Sequence, residues 1–371
     1  MPIYMDRHDL SGATAKDVAE AHQEDLKIQE QYGCKGLTYW FDEERGAAFC
    51  LVEAPNMNSV KEMHNHAHGL VPHQIIEVDN NIVETFLGRI QDPPQDENID
   101  ESGLLLLNDP AFRIIMAVEL EEAELINYRV RKSIAEKVHN LYQQLVDTIL
   151  SEFNGRRVEH VKDGFLVSFS SISNAIGAAY EIHTGLKELS KKLKKQLFTQ
   201  IGISAGVPVT ENESFFGETI QSARQLCEIA QGGQTLISSS ITAYLRNADV
   251  VLLNTKDSVK VLNPVEDEFL GQLGKVVTDL WNNPEFTIDL FNNKMSLSKS
   301  QLYRKLIFIT GLSPSDYIKE YRLKMSLRRL AERQDNISEI AYDSGFSSPS
   351  YFSKCFQKRY GITPTDFLRN K

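Results

Sequence analysis

The chain has no apolar run long enough to cross a membrane. Even its run of leucines, Leu104–Leu107, is four residues, against the roughly 20 that a spanning helix needs. Cysteine is scarce: Cys34, Cys50, Cys227 and Cys355 lie far apart in 371 residues. That is no disulfide framework, and it points to a reducing, cytoplasmic setting. The opening, Met1–Leu10, lacks the apolar stretch of a secretory signal. Positive charge is also short: 40 Lys and Arg stand against 51 Asp and Glu, for a net charge of −11. Taken whole, that balance argues against a nucleic-acid partner.

The distribution of charge reverses the argument. Residues 298–371 hold 14 Lys and Arg and only 7 Asp and Glu, whereas residues 1–297 hold 26 and 44. A basic end on an acidic body suggests binding to nucleic acid. The length suits two to four domains at roughly 100–200 residues each. The pattern predicts a multidomain chain of α+β and all-α parts: domains at 1–79, 111–250 and 265–371, with 80–110 as a linker. Asp92-Pro93-Pro94-Gln95-Asp96-Glu97-Asn98 is too polar and proline-rich to bury itself.

Block 1–79 reads as strand Pro2–His8, helix Thr14–Tyr32, strands Gly36–Phe41 and Ala47–Glu53, a short helix over Met63–His68, and strand Gln74–Val78. Thr14 is a suitable N-cap and Gly33 a suitable stop. The order β-α-β-β-α-β is ferredoxin-like. Three of the nine histidines fall within five residues here, at His64, His66 and His68. On a helix His64 and His68 share a face, and His66 points elsewhere. Asn65 stands where a metalloprotease motif needs Glu. His8, His22, Cys50 and His73 lie in the same block. Imidazole and thiolate suit nickel, zinc or copper, so His8, His22, Cys50, His64 and His68 are the candidate ligands. Satisfied structural histidines are the alternative.

Block 111–250 reads as strand Phe112–Leu120, a helical segment to Phe153, and a hairpin over Arg156–Phe169 turning at Lys162-Asp163-Gly164. Helix Ser173–Leu197, strand Gln200–Val207, helix Ile220–Ala230 and strand Thr235–Ser238 follow. That is an α+β layer with helices on one face.

Block 265–371 reads as helical throughout and contains a repeat. Gly311–Tyr317, "GLSPSDY", returns as Gly361–Phe367, "GITPTDF". Before each copy lies a helix, a short turn and a second helix: Ile288–Met295 then Lys299–Ile309, and Ile337–Ser344 then Ser348–Tyr360. The second helix of such a unit enters a DNA major groove, with its N-terminal residues at base edges. The exposed candidates are Lys299, Ser300, Gln301, Arg304 and Lys305 in the first copy. In the second they are Ser348, Pro349, Ser350, Ser353, Lys354, Lys358 and Arg359. Ile318–Arg333 reads as the connecting helix, about 24 Å long, for two readers about one DNA turn, roughly 34 Å, apart.

These residues carry a resemblance. Residues 270–371, above all "ISEIAYDSGFSSPSYFSKCFQKRYGITPTDF", resemble the DNA-binding domain of the AraC/XylS family of bacterial transcription regulators. The resemblance implies a double helix-turn-helix reading promoter DNA, with RNA polymerase as a further candidate partner. Asn292 departs from it, standing where a small alanine is usual and opposite Ala341 in the second copy.

"FRIIMAVEL", "GRRVEHVKDGFLVSF" and "IGISAGVPV" are similar to class III nucleotide cyclase domains. Glu119 and Asp163 match that family's two metal-holding aspartates. Gln221 and Gln225 match its Asn and Arg. Gln225 cannot supply the cationic clamp, Lys162 brings positive charge beside the metal position, and Arg224 is turned about 100° along the helix. These departures from the family pattern point to a degenerate domain without catalytic residues, kept as a dimeriser or a nucleotide-binding sensor, and argue against nucleotide bound with divalent metal. The resemblance also implies a homodimer, because that family builds its site across a dimer interface. "YMDRH", "YWFDEERGAAFCLVEAP" and "HNHAHGLVP" resemble a small ferredoxin-like family with a nickel-binding bacterial member.

Together these readings predict a DNA-binding transcription regulator whose first two domains sense a metal or small ligand and dimerise. An active cyclase fused to a DNA-binding domain, and a metal carrier, are the alternatives.

Overall fold

The computed structural model describes residues 1–371 apart from 94–98, 100–103, 130–131, 162–163, 195, 212–213, 246–248, 250–252, 254–257, 333–335 and 370–371. In the first domain β1 (Ile3–Asp9), α1 (Ala15–Ile28), β2 (Lys35–Asp42), β3 (Ala47–Glu53), α2 (Met57–Ala67) and β4 (Gln74–Val78) follow the expected order. The sheet runs β2-β3-β1-β4 and is antiparallel throughout. Thr14 caps α1 in a reciprocal pair with Asp17, and Gly33 ends the next turn at φ 63°, a conformation glycine adopts without strain. Helix α2 starts earlier than the histidines suggest, because Asn56 accepts from the Ser59 backbone N–H and caps it.

Side chains alternate across a strand, so β1 has two roles. Tyr4 packs under α1 and α2 with Val18, Val60 and Met63. Met5, with Trp40, Phe49 and Leu51, faces the second domain and shares a core with its Ile115, Leu166 and Phe216. Each large side chain fully buried there contributes about 2 kcal/mol.

The second domain comprises β5 (Arg113–Leu120), α4 (Ala123–Arg129), α5 (Lys132–Glu152), β6 (Arg156–Val161), β7 (Gly164–Phe169), α6 (Ile172–Leu193), β8 (Thr199–Gly206), α7 (Gly217–Ile229), β9 (Thr235–Ile237) and β10 (Val259–Val261). Its sheet order is β10-β9-β8-β5-β7-β6. Tyr142, Val146 and Ile182 of α5 and α6 cover one face, against Ile114, Met116 and Val118. The sequence suggested helices on that face alone. Instead Ala223 and Cys227 of α7, together with the first domain, cover the other. Strand β5 is consequently buried at every position except Glu119, which explains its unbroken apolar pattern.

The expected linker at 80–110 is corrected in its first part. Asp79 caps α3 (Asn80–Leu87), whose Val83, Phe86 and Leu87 are buried in the core shared by the first two domains. The Arg113 guanidinium donates to the Phe86 and Leu87 carbonyls. Val83, Phe86 and Leu87 stand at helical spacing, ahead of the proline-rich stretch.

The third domain is α8 (Pro264–Leu280), α9 (Ile288–Lys294), α10 (Lys299–Thr310), α11 (Pro314–Glu332), α12 (Ile337–Asp343), α13 (Pro349–Tyr360) and α14 (Pro364–Arg369). The repeat is visible in the backbone: Ser296 in the first turn and Gly345 in the second both have positive φ, 52° and 75°. Phe269, Leu270 and Leu273 of α8 pack on Leu226, Ala230 and Leu236 of the middle domain. Among the described residues no helix is long and apolar enough to cross a membrane.

Candidate functional sites

In the first domain four positions on three elements, with the residue that ends α2, converge. Asp6 and His8 come from β1, Asp25 from α1, and His64 from α2, with His68 capping α2. His64 lies between two carboxylates, with Nε2 2.9 Å from Asp6 Oδ2 and Nδ1 3.0 Å from Asp25 Oδ1. His68 Nε2 is 3.2 Å from Asp25 Oδ1, and His8 Nε2 is 3.2 Å from Asp6 Oδ1. Donor atoms of Asp6, His8 and His64 all lie within 4.8 Å of one another, as do those of Asp25, His64 and His68.

Burial opposes charge on His64, but Asp6 and Asp25 outweigh it and raise its pKa to about 10. Burial likewise works against charge on Asp6, yet His64 and His8 hold its carboxyl far below the usual range. The cluster is thus a buried cation held by two anions. His8 Nε2 is buried without an aligned hydrogen-bond partner, and such an atom costs about 1–3 kcal/mol. A metal ion shared by His8, Asp6 and His64 would satisfy it, so the donor set fits a transition metal.

Two expected ligands stand apart. His22 faces Asp92, 3.5 Å away, and the Tyr39 ring. Cys50 lies beside Asp6, to which its backbone N–H donates, but burial and the neighbouring carboxylates push its thiol well above its ordinary pKa. A neutral thiol is a poor ligand. His66 points away, as its helical phase requires, and stacks on Tyr32. His73 accepts from the Asp9 backbone N–H. Asp6 and Asp25 were not anticipated. The one trace of Asp6 in the sequence is its place in Tyr4-Met5-Asp6-Arg7-His8, two residues from His8 and therefore on the same face.

In the third domain Ser300, Arg304, Ser350, Lys354 and Lys358 are exposed on α10 and α13, while Ser348, Pro349, Ser353 and Lys305 are half-buried. Several expected contacts have other partners. Gln301 closes a capping box with Ser298. Lys299 pairs with Asp289 at 2.6 Å, and Lys305 lies over the Phe269 ring. Arg359 pairs with Glu122 at 2.5 Å and Glu320 at 2.7 Å.

The cyclase-like positions are dispersed. Asp163 lies outside the described residues. Gln221 and Gln225 face α8, and a Cβ on Gly274 would come 2.6 Å from Gln225 Cδ. Arg224, expected to turn away, lines the same cleft as Glu119. Glu119 Oε2 is 2.8 Å from Arg328 Nη2 and 3.6 Å from Lys324 Nζ. Burial would raise the Glu119 pKa, but these two cations lower it. Both cations come from α11.

The geometry therefore defines a class: a tandem helix-turn-helix module packed on an α+β body. Residues 292–370 match a family described as "Helix-turn-helix domain". Residues 4–78 match "Nickel responsive protein SCO4226-like". Probable transcription factor PqrA of Proteus vulgaris is 33% identical over 93 residues, which are 25% of this chain and 76% of that protein. The chain belongs to the AraC-type family of transcription regulators. Histidine kinase P4 of Formosa agariphila is 35% identical over 106 residues, 29% of this chain. The chain spans only 8% of that kinase and 33% and 36% of the next two curated relatives. The structure of guanylyl cyclase Cya2 aligns with 36% of this chain and 79% of its own, at 20% identity and a TM-score of 0.31.

Proposed function

We propose that the chain is a sequence-specific regulator of transcription whose first domain takes up a divalent transition metal, nickel or zinc. The observation that carries the DNA reading is the pair of helix-turn-helix units presenting Ser300, Arg304, Ser350 and Lys354 outward. The metal reading rests on the convergence of Asp6, His8, Asp25, His64 and His68. Imidazole nitrogen with carboxylate oxygen suits nickel or zinc better than it suits the thiophilic ions. When bound, the metal supplies positive charge in place of the His64 proton. Asp6, His8 and His64 would hold it, with Asp25 and His68 orienting the ring from the other side. Glu119 neutralised by Arg328 and Lys324, and Gln225 turned to α8, support a non-catalytic middle domain.

The test is selection of bound duplexes from a random pool by the full chain, with nickel, with zinc and with chelator. Enrichment of a defined motif supports the DNA reading, and no enrichment under any condition overturns it. Elemental analysis of chelator-free protein tests the metal reading: about one equivalent lost in His64→Ala is expected. The same preparation gives the oligomeric state.

A further inference from the structure

We propose that α4 is an autoinhibitory latch on the second helix-turn-helix, holding one end of α13 off DNA phosphates. The inference rests on the DNA reading above. It starts from Leu125, a middle-domain residue that is fully buried in the core of a different domain, with Leu323, Phe356, Tyr360 and Phe367. Beside it Glu122, at φ 53°, places its carboxylate 2.5 Å from Arg359 Nη1. The left-handed backbone there is uncommon for a residue with a side chain, and it aims the carboxylate at α13.

Arg359 ends the recognition helix, where phosphate contacts are made. Between Glu122 and Glu320 its guanidinium is already paired. To meet a phosphate it must leave Glu122, and Glu122 left in place would repel that phosphate. Farther along the contact, Arg328 meets Glu119 at 2.8 Å and Glu228 at 3.4 Å. Four carboxylates of the middle domain thus face cations of the DNA-binding domain, counting Glu124 at 4.0 Å from Arg328. The contact is not continuous. A cleft of about 1480 Å³ remains between the domains, lined by residues such as Glu119, His139, Arg224, Tyr321 and Arg328. On the α13 side the middle domain holds on through Leu125 and these ion pairs around an open cleft, a contact that can separate while α8 stays packed on Leu226, Ala230 and Leu236. The groove-facing end of α13, with Ser350 and Lys354 exposed, stays open throughout, so the latched state can meet DNA but holds it weakly.

The test measures the affinity of the full chain for a random-sequence DNA duplex at several salt concentrations. Leu125→Ala loosens the latch without changing charge, and Glu122→Gln removes the middle-domain carboxylate from Arg359 while leaving Glu320 on it. Each is expected to tighten binding by about threefold, and the pair by about tenfold. The salt slope should steepen by about 0.9 for the recovered phosphate contact. Glu24→Gln, on an exposed pair of α1, removes the same charge elsewhere and is expected to change little. Unchanged or weaker binding in both latch variants overturns the proposal, as does equal tightening by Glu24→Gln. If Leu125→Ala does not fold, Glu122→Gln decides alone. If neither wild type nor variants retain DNA, the DNA reading fails and the latch with it.

Discussion

Asn292 occupies a core position that the second repeat fills with Ala341. It is 5% exposed, and neither its amide oxygen nor its nitrogen has a hydrogen-bond partner. An unpaired buried amide is costly, so Asn292→Ala should raise stability by about 1 kcal/mol, measured by denaturant unfolding. His183 makes a pH prediction. Burial lowers its pKa to about 4, and it is satisfied as a neutral ring by Thr199 and Thr235 hydroxyls. The unfolded chain binds a proton below about 6.5 that the folded chain refuses. Its contribution to stability is therefore complete above that pH and lost as pH falls from about 6.5 towards 4, by up to about 1.4 kcal/mol per unit. His183→Gln should flatten that part of the unfolding profile. Single residues are also where the sequence was least legible. His8, His64 and His68 could be found by type and helical phase. Asp6 and Asp25 could not, because an isolated aspartate is most often a solvated group and only the register of β1 with β3, and of α1 with α2, makes these two inward.

Elements were far more legible than residues. The apolar spacing of the third domain places each repeat helix within about two residues of its observed ends. Both turns fall where positive φ is needed. The caps Thr14, Ser298 and Ser348 are at the boundaries that their side chains dictate. What spacing could not convey is which polar side chains an element keeps for itself. Gln301, expected from its spacing to touch a base, closes the capping box of its own helix N-terminus, so Gln301→Ala should lower stability by about 1 kcal/mol as well as alter binding. Lys358→Ala, on an exposed position of α13, should weaken binding to all sequences and reduce the salt slope by about 0.9. Connecting helix α11 carries a further constraint. Arg322 donates to the Trp281 and Asn283 carbonyls, and a Cβ on Gly345 would meet its guanidinium at 2.8 Å. One side chain thus touches both units, and Gly345→Ala should loosen the second relative to the first. It should also cost roughly 1–3 kcal/mol through the strained backbone. Thermal unfolding, read beside DNA affinity, separates those effects.

At the scale of the whole molecule the sequence shows three blocks, and their compositions differ as separate modules should. The structure joins them through shared cores, Trp40 with Phe216 and Leu226 with Leu273, and through the single anchor Leu125 against Phe356. Such joins are invisible to periodicity, which reports that a face is apolar and not whose surface it meets. Residues 111–371 expressed alone should therefore expose Ile115, Leu166 and Phe216, bind a hydrophobic dye and unfold at lower denaturant than the intact chain. An unchanged midpoint would mean that the first domain is merely appended.

Strand β1 has a mechanical consequence. Asp6 and His8 belong to the histidine–carboxylate cluster, while Met5 packs into the interdomain core and Arg7 donates to the Val209 carbonyl. The cluster and the interdomain joint are opposite sides of the same seven residues. A shift of the backbone that brings Asp6 and His8 together around an ion moves Met5 and Arg7 in the same stroke. If the proposed metal binds there, the first step of its signal needs no chain of intermediaries, because the strand is a plate whose two surfaces cannot move separately.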